Sequence, residues 1–224
     1  EMLIDSRKGR KVRGTGQQNA PSNMKKILFL GYDKDKTQLI ELIQTHNNHW
    51  EVKQTSKKIT LGEIKDLDLI ISFGYRDIIN NEIISHFKKP IINLHLSYLP
   101  FNKGAHPNFW SFIDNTPSGI SIHEIDGGID TGKIIYQKKI DFDLSNNKKK
   151  LNFYNTYSFL FKEIENLFMK NIDELINNKF NSYAQIGNGS YHSKKDLPKL
   201  LKNWNQNIYE TVIENNRMYK KNEK

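Results

Sequence analysis

The stretch Ile91-Ile92-Asn93-Leu94-His95-Leu96-Ser97-Tyr98-Leu99-Pro100 begins as an apolar strand and ends in a polar turn. Pro90 cannot donate to a ladder, so it suits the first position of a strand. Asn93 and His95 are two apart, and an extended chain puts both on one face. Leu94 and Leu96 point the other way. A strand that turns polar on one face at its C-terminal end is where an open α/β sheet places its ligand.

Upstream, the pattern alternates. A short apolar strand over 26–30 meets a Gly31-Tyr32-Asp33 turn and a helix over 36–46, with Leu39, Ile40, Leu42 and Ile43 as its apolar side. A second strand follows over 50–54. Thr60 and Glu63 have capping-box spacing for a short helix. A buried strand over 67–73 turns through Gly74-Tyr75-Arg76 into a helix over 77–87. Strands alternating with helices at this spacing predict βαβ units and a mostly parallel sheet. The turn after the first strand lacks Gly-x-Gly-x-x-Gly, which argues against a dinucleotide site.

Downstream, the pattern changes. A loop over 101–106 leads to a short helix over 107–113 with Pro107 in its first turn. Alternation of Ile120, Ile122 and Ile125 with polar residues predicts a half-buried strand over 119–125. Asp126-Gly127-Gly128-Ile129-Asp130-Thr131-Gly132 is a glycine-rich loop, and 133–140 a further strand. One long helix is expected over 150–178, a turn at Gly187-Asn188-Gly189-Ser190, a strand fragment at Tyr191-His192, and helices over 196–204 and 208–219.

The chain of 224 residues is long enough for one domain with a sizeable core. It has no cysteine, which removes disulfides, thiolate metal sites and thiol nucleophiles together, and no metal is expected. No apolar run reaches the roughly 18 residues of a membrane span, and no signal-peptide pattern is present, so a cytoplasmic protein is expected. The net charge is +9. Part of it lies in residues 1–23, where Arg7, Lys8, Arg10, Lys11 and Arg13 oppose only Glu1 and Asp5. That leader is expected to be disordered, or an expression-derived extension before a native start at Met24. The remaining lysines are scattered, as on a solvated surface, so no nucleic-acid partner is expected.

Asn93, His95 and Asp130 carry the chemistry to weigh. An imidazole can take a proton near neutral pH. A carboxylate beside it favours the charged form, and an amide donor can stabilise an oxyanion. Together they suit acyl transfer to a nucleophile supplied by the substrate. From spacing alone, Asn-x-His at a strand end also describes ordinary polar surface, and Asp130 an ordinary turn.

The blocks 93–105, Gly119-Ile120-Ser121-Ile122-His123 and Gly128-Ile129-Asp130-Thr131-Gly132, in this order and with these gaps, resemble the folate-dependent formyltransferases. The resemblance covers 24–143. It implies a Rossmann-like α/β fold, a mostly parallel sheet with flanking helices and a small C-terminal extension. A catalytic core would then span 24–145, with a long helix and small subdomain over 146–224. It also implies 10-formyltetrahydrofolate as formyl donor and catalytic Asn93, His95 and Asp130. Folate would lie against Phe73, Gly74, Asp126, Gly127, Gly128 and Ile129.

Further motifs at 72–76, 107–112 and 189–196 resemble the nucleotide-sugar N-formyltransferases. That branch implies a homodimer acting on a dTDP-linked aminosugar for surface polysaccharide, with dTDP-4-amino-4,6-dideoxyglucose the first expectation. Tyr75, Arg76, Lys103 and Tyr191 would contact the sugar nucleotide, and His123 is read as a structural histidine. Alternatives are a 3-amino sugar acceptor, the purine-pathway formyltransferase, and a non-catalytic basic module on the same fold. Against the purine enzyme, Gly31-Tyr32-Asp33 lacks its Gly-Ser-Asn loop. The tRNA enzyme carries a large C-terminal domain not expected here. His106 departs from the branch, which has an acidic residue before Pro-Asn.

Overall fold

The computed structural model describes residues 24–222; the leader expected over 1–23 lies outside them. In chain order these residues form β1 (Lys25–Gly31), α1 (Leu39–His46), β2 (Trp50–Thr55), β3 (Leu69–Phe73), α2 (Asn81–His86), β4 (Ile91–His95) and β5 (Lys103–Gly104). Then come α3 (Pro107–Ile113), β6 (Gly119–Glu124), β7 (Ile134–Lys139), α4 (Phe153–Lys170), α5 (Ile172–Ile176), β8 (Tyr191–His192) and α6 (Ile208–Asn222). The main sheet has the order β2-β1-β3-β4-β6-β7. The first four strands are parallel, and β6 and β7 run antiparallel to their neighbours. β5 and β8 make a separate two-stranded piece.

Period-two alternation divides the core between the two faces of the sheet. Ile27 and Phe29 of β1, Leu69 and Ile71 of β3, and Ile92 and Leu94 of β4 join the larger cluster, which α1, α4 and α5 complete. Leu28, Leu30, Ile70 and Ile91 point to the opposite face, under Ile79, Ile83 and Phe87 around α2. A third cluster, Phe109, Trp110, Phe153 and Ile208, ties α3 to the start of α4 and to α6.

Several elements differ from the sequence reading, each for a local reason. α1 begins at Leu39 and leaves Leu42 37% exposed. α2 starts only at Asn81, because the Asn80 side chain accepts the Ile83 N–H at 2.9 Å and caps it there. β6 is buried on both faces, with Ser121 and His123 at 0% and 1% exposure. Its polar side is covered by the chain leaving β4: Ser121 Oγ donates to the Ser97 carbonyl at 2.7 Å and accepts from Leu99 N at 3.2 Å. The single long helix is two, parted at Asn171, whose backbone leaves helical geometry while its Nδ2 donates to the Leu167 carbonyl at 2.9 Å. No helix spans 196–204. Leu197 precedes Pro198 and is extended, which stops the turn at Asp196.

One stripe of α4 shapes the loop between β1 and α1. Tyr157 and Tyr32 bring their hydroxyls to 3.4 Å. Phe161 packs on the Tyr32 ring. Buried Glu165 accepts from Thr37 Oγ1 at 2.8 Å and Gln38 N at 3.0 Å, capping α1 from a distance.

α4 itself is capped by a reciprocal pair. Asn152 Oδ1 accepts from Asn155 N at 2.7 Å, and Asn155 Oδ1 from Asn152 N at 3.0 Å. Asn152→Ala is expected to cost about 1 kcal/mol, seen as a lower urea midpoint at an unchanged m-value. An unmoved midpoint would show that packing alone holds this helix end.

Candidate active site

On β4 the face begun by Ile91 continues through Asn93 to His95, so an apolar surface becomes polar within five residues. Antiparallel pairing sets His123 of β6 directly across from Asn93. The loop between β6 and β7 brings Asp130 over both, at φ 53°, the left-handed region.

Asp130 sits at the centre. Its Oδ2 accepts the Gly104 N–H at 2.8 Å and lies 3.6 Å from His95 Nδ1. Its Oδ1 lies 3.3 Å from Asn93 Nδ2 and 3.4 Å from His123 Nε2. Burial pushes the carboxyl up. The two imidazoles and the Gly104 amide outweigh that and hold it well below the usual carboxylate range. The ring nitrogens are assigned by their partners. His95 Nε2 faces the Asn102 carbonyl at 2.9 Å and so carries a hydrogen, leaving Nδ1 toward Asp130. His123 Nδ1 faces the Glu124 carbonyl at 2.8 Å, and its Nε2 lies between Asn93 Nδ2, at 3.0 Å, and Asp130 Oδ1.

These groups form one wall of a cavity of about 910 Å³. Apolar surface lines it at Ile78, Ile79, Ile125 and Ile129, cations at Lys36, Arg76 and Lys194, and aromatic rings at Tyr154, Tyr191 and Trp204. Among the described residues, no group of three His, Asp or Glu side chains is arranged to hold a metal ion.

The expected trio of Asn93, His95 and Asp130 is therefore one cluster. Phe73, Gly74, Tyr75, Arg76, Asp126, Gly128, Ile129 and Tyr191 also border the cavity. The Phe73 ring is turned into the core against Tyr32 and Phe161. Tyr75 donates its hydroxyl to the Lys57 carbonyl at 3.0 Å. Two residues of the expected contacts lie outside the cavity lining. Lys103 does not line the cavity; β5 turns its ammonium outward, onto the Asn188 carbonyl at 3.2 Å. Gly127 does not line it either, and a Cβ placed on it would lie 2.9 Å from the Asn81 side-chain oxygen.

Other members of the site carried no such signal. His123, expected as a structural histidine, lies in the cluster, a placement that only the β4–β6 register reveals. Lys36 reaches the cavity wall over the rings of Tyr157 and Phe161, 5.0 Å from each centroid. His106, at φ 53° before Pro107, lies 5.3 Å from the Trp204 ring. Burial, and then Lys194, push its pKa below that of an ordinary histidine.

The charge on Asp130 has a pH signature. In the unfolded chain this carboxyl titrates near 3.9, whereas the folded value lies lower. Its stabilisation is then complete above about pH 5 and is lost as pH falls through the unfolded value toward the folded one. Denaturant titrations of wild type and Asp130→Asn are expected to show a stability gap at pH 6 that narrows steadily toward pH 2. A gap independent of pH would exclude an ionised, compensated Asp130.

Residues 18–156 match the family model described as formyl transferase. The GDP-perosamine N-formyltransferase of Brucella melitensis is 30% identical over 134 residues, 59% of this chain and 49% of the relative. The dTDP-4-amino-4,6-dideoxyglucose formyltransferase of Mycobacterium tuberculosis is 25% identical over 137 residues, 61% of this chain and 56% of the relative. The chain thus spans about half the length of these curated relatives. Among solved structures, the formyltransferase PseJ from Anoxybacillus kamchatkensis, in complex with UDP-4,6-dideoxy-4-formamido-L-AltNAc and tetrahydrofolate, aligns at a TM-score of 0.75 and 37% identity. The alignment covers 84% of this chain and 97% of PseJ. With the family model matching more than half of its length, and with the same sheet under the three sequence blocks, the chain belongs to the formyl transferase family.

Proposed function

We propose that the protein transfers a formyl group from 10-formyltetrahydrofolate to the 4-amine of a nucleotide-linked 4-amino-4,6-dideoxy sugar, with residues 24–145 carrying the chemistry. The observation behind this reading is the cluster of Asn93, His95, His123 and Asp130 on the wall of a cavity of about 910 Å³. That volume lies at the upper end of the range for small-molecule sites. Its apolar side at Ile78 and Ile129 suits the flat rings of a folate, and its cations suit a diphosphate. The UDP-linked 4-formamido sugar held by PseJ, a relative matched over nearly its whole length, favours a UDP-linked acceptor of that type. The dTDP-4-amino-4,6-dideoxyglucose expected from sequence rests on a more distant relative.

The donor supplies an electrophilic formyl carbonyl, which the neutral amine attacks directly. Asn93 then offers an N–H to the formyl oxygen as negative charge develops there. Its contact with Asp130, 3.3 Å, is the longer of its two and the one this oxygen replaces. His95, pinned at Nε2, has Nδ1 free to exchange a proton with Asp130 and the reacting groups. Asp130 stays ionised and compensates an imidazolium. The proton leaving the amine is delivered, through this pair, to the departing folate nitrogen. Much of the acceleration comes from holding both reactants in one cavity.

Incubation with 10-formyltetrahydrofolate and a panel of UDP-, dTDP- and GDP-linked 4-amino-4,6-dideoxy sugars, followed by mass spectrometry, tests the reading. A single formyl gain is expected, fastest on the UDP-linked sugar. Transfer to glycinamide ribonucleotide, with none to any sugar, would overturn it. His95→Asn is expected to lower kcat on the order of 10²-fold with little change in the unfolding midpoint. Lys36→Ala or Arg76→Ala is expected to raise KM for the sugar nucleotide more than it lowers kcat, and Lys103→Ala to change neither. An effect of Lys103 equal to that of Lys36 would refute this placement of the diphosphate.

A further inference from the structure

Residues 183–192 run beside the cluster of Asn93, His95 and Asp130, from β7 to the cavity edge at Tyr191 and His192, in a segment that makes little core. Tyr183 is 50% exposed and Ile186 87%. The segment is nevertheless fastened at both ends. Tyr183 exchanges two backbone hydrogen bonds with Ile134 of β7, at 2.8 and 3.0 Å. At the other end β8 pairs with β5, and Ala105 N donates to the His192 carbonyl at 2.8 Å. Between these ends its polar groups meet the two loops that hold the reacting side chains.

Gln185 Nε2 donates to the Asp130 carbonyl at 2.8 Å and to the Gly132 carbonyl at 2.9 Å, using both amide hydrogens. It therefore clamps the backbone on either side of Thr131, where Asp130 holds a left-handed conformation. Ser190 Oγ accepts the Asn102 N–H at 2.8 Å, and Ser190 N donates to the Pro100 carbonyl at 3.2 Å. Asn102 is buried and also left-handed, and its carbonyl is the acceptor that pins His95 Nε2. The turn must pass close to Pro100 to do this. A Cβ on Gly189 would lie 1.9 Å from the Pro100 oxygen, so glycine is required there.

We infer that residues 183–192 are a positioning strap for the reaction proposed above, and rest this on that reading: Gln185 sets the backbone of Asp130, and Ser190, through Asn102, sets the ring of His95. The two contacts grip the His95–Asp130 pair from opposite ends. Their targets are backbone groups of the catalytic loops rather than the core, so the strap governs alignment more than stability. Small misplacements of reacting groups are costly, on the order of 10²-fold in rate for about 1 Å.

The test compares Gln185→Ala, Ser190→Ala and Ser190→Thr with wild type. Both alanine variants are expected to lose about tenfold or more in kcat, with KM for donor and acceptor within about threefold and the unfolding midpoint within a few degrees. Ser190→Thr keeps the hydroxyl and is expected to recover most of the rate. An unchanged kcat in both folded alanine variants, a loss confined to KM, or a collapse of the unfolding midpoint would each overturn the strap as a positioning device. A second readout needs no activity. The His95 Nε2–H proton resonance, identified by its loss in His95→Asn, is expected to shift or exchange rapidly in Ser190→Ala and to return in Ser190→Thr. A His95 signal unmoved by Ser190→Ala overturns the inference on its own. A wild-type chain that formylates no acceptor sinks the proposed function instead, and the His95 signal still decides the strap.

Discussion

A carboxylate largely removed from water has to be compensated where it sits, and Asp130, its side chain 14% exposed, lies at the meeting of β4, β6 and the β5 piece. Its compensation comes from four groups on three strands: the Asn93 amide and His95 ring of β4, the His123 ring of β6, and the Gly104 N–H of β5. Each supplier is fixed in turn by backbone. Asn102 holds one ring and Glu124 the other, while β8 supports β5. Much of the molecule's polar wiring can be read outward from this single charge. It also gives a role to a two-residue strand that lies outside the main sheet. β5 aims a peptide N–H at Asp130.

The parallel half of the sheet was plain in the sequence because the runs read as strands over 26–30 and 67–73 contain stretches, 27–30 and 69–73, that are buried on both faces and have few other readings. The trio of Asn93, His95 and Asp130 was legible through motif order rather than through any local pattern. What escaped depends on pairing between distant segments. His123 alternates with isoleucines as a surface residue of a half-buried strand would, and only the antiparallel register with β4 brings it to Asn93. Lys103 has the charge for a phosphate, but a residue in an extended pair shows its side chain to one side only, and here that side is outward.

Helix boundaries failed for a related reason. Hydrophobic period continued through Asn171, yet its amide competes for a helix carbonyl and parts α4 from α5. Asn80 and Pro198 acted likewise at α2 and after Asp196. In an asparagine-rich chain, side chains that mimic the backbone set the ends of elements more than the apolar pattern does.

Tyr157, Phe161 and Glu165 succeed one another every four residues along α4, and all three meet the loop between β1 and α1. That loop carries Tyr32 and Lys36 to the cavity wall. The loop and the helical stripe are therefore one packed unit, although more than a hundred residues of chain divide them. Exchanging this loop alone between two members of the family would leave Glu165 without its Thr37 donor and the rings of Tyr157 and Phe161 without Tyr32. The exchange has to carry three helical positions with it. By the same token, drift in this loop over evolution is expected to be paired with changes on α4 and not with changes at Asn93 or His95.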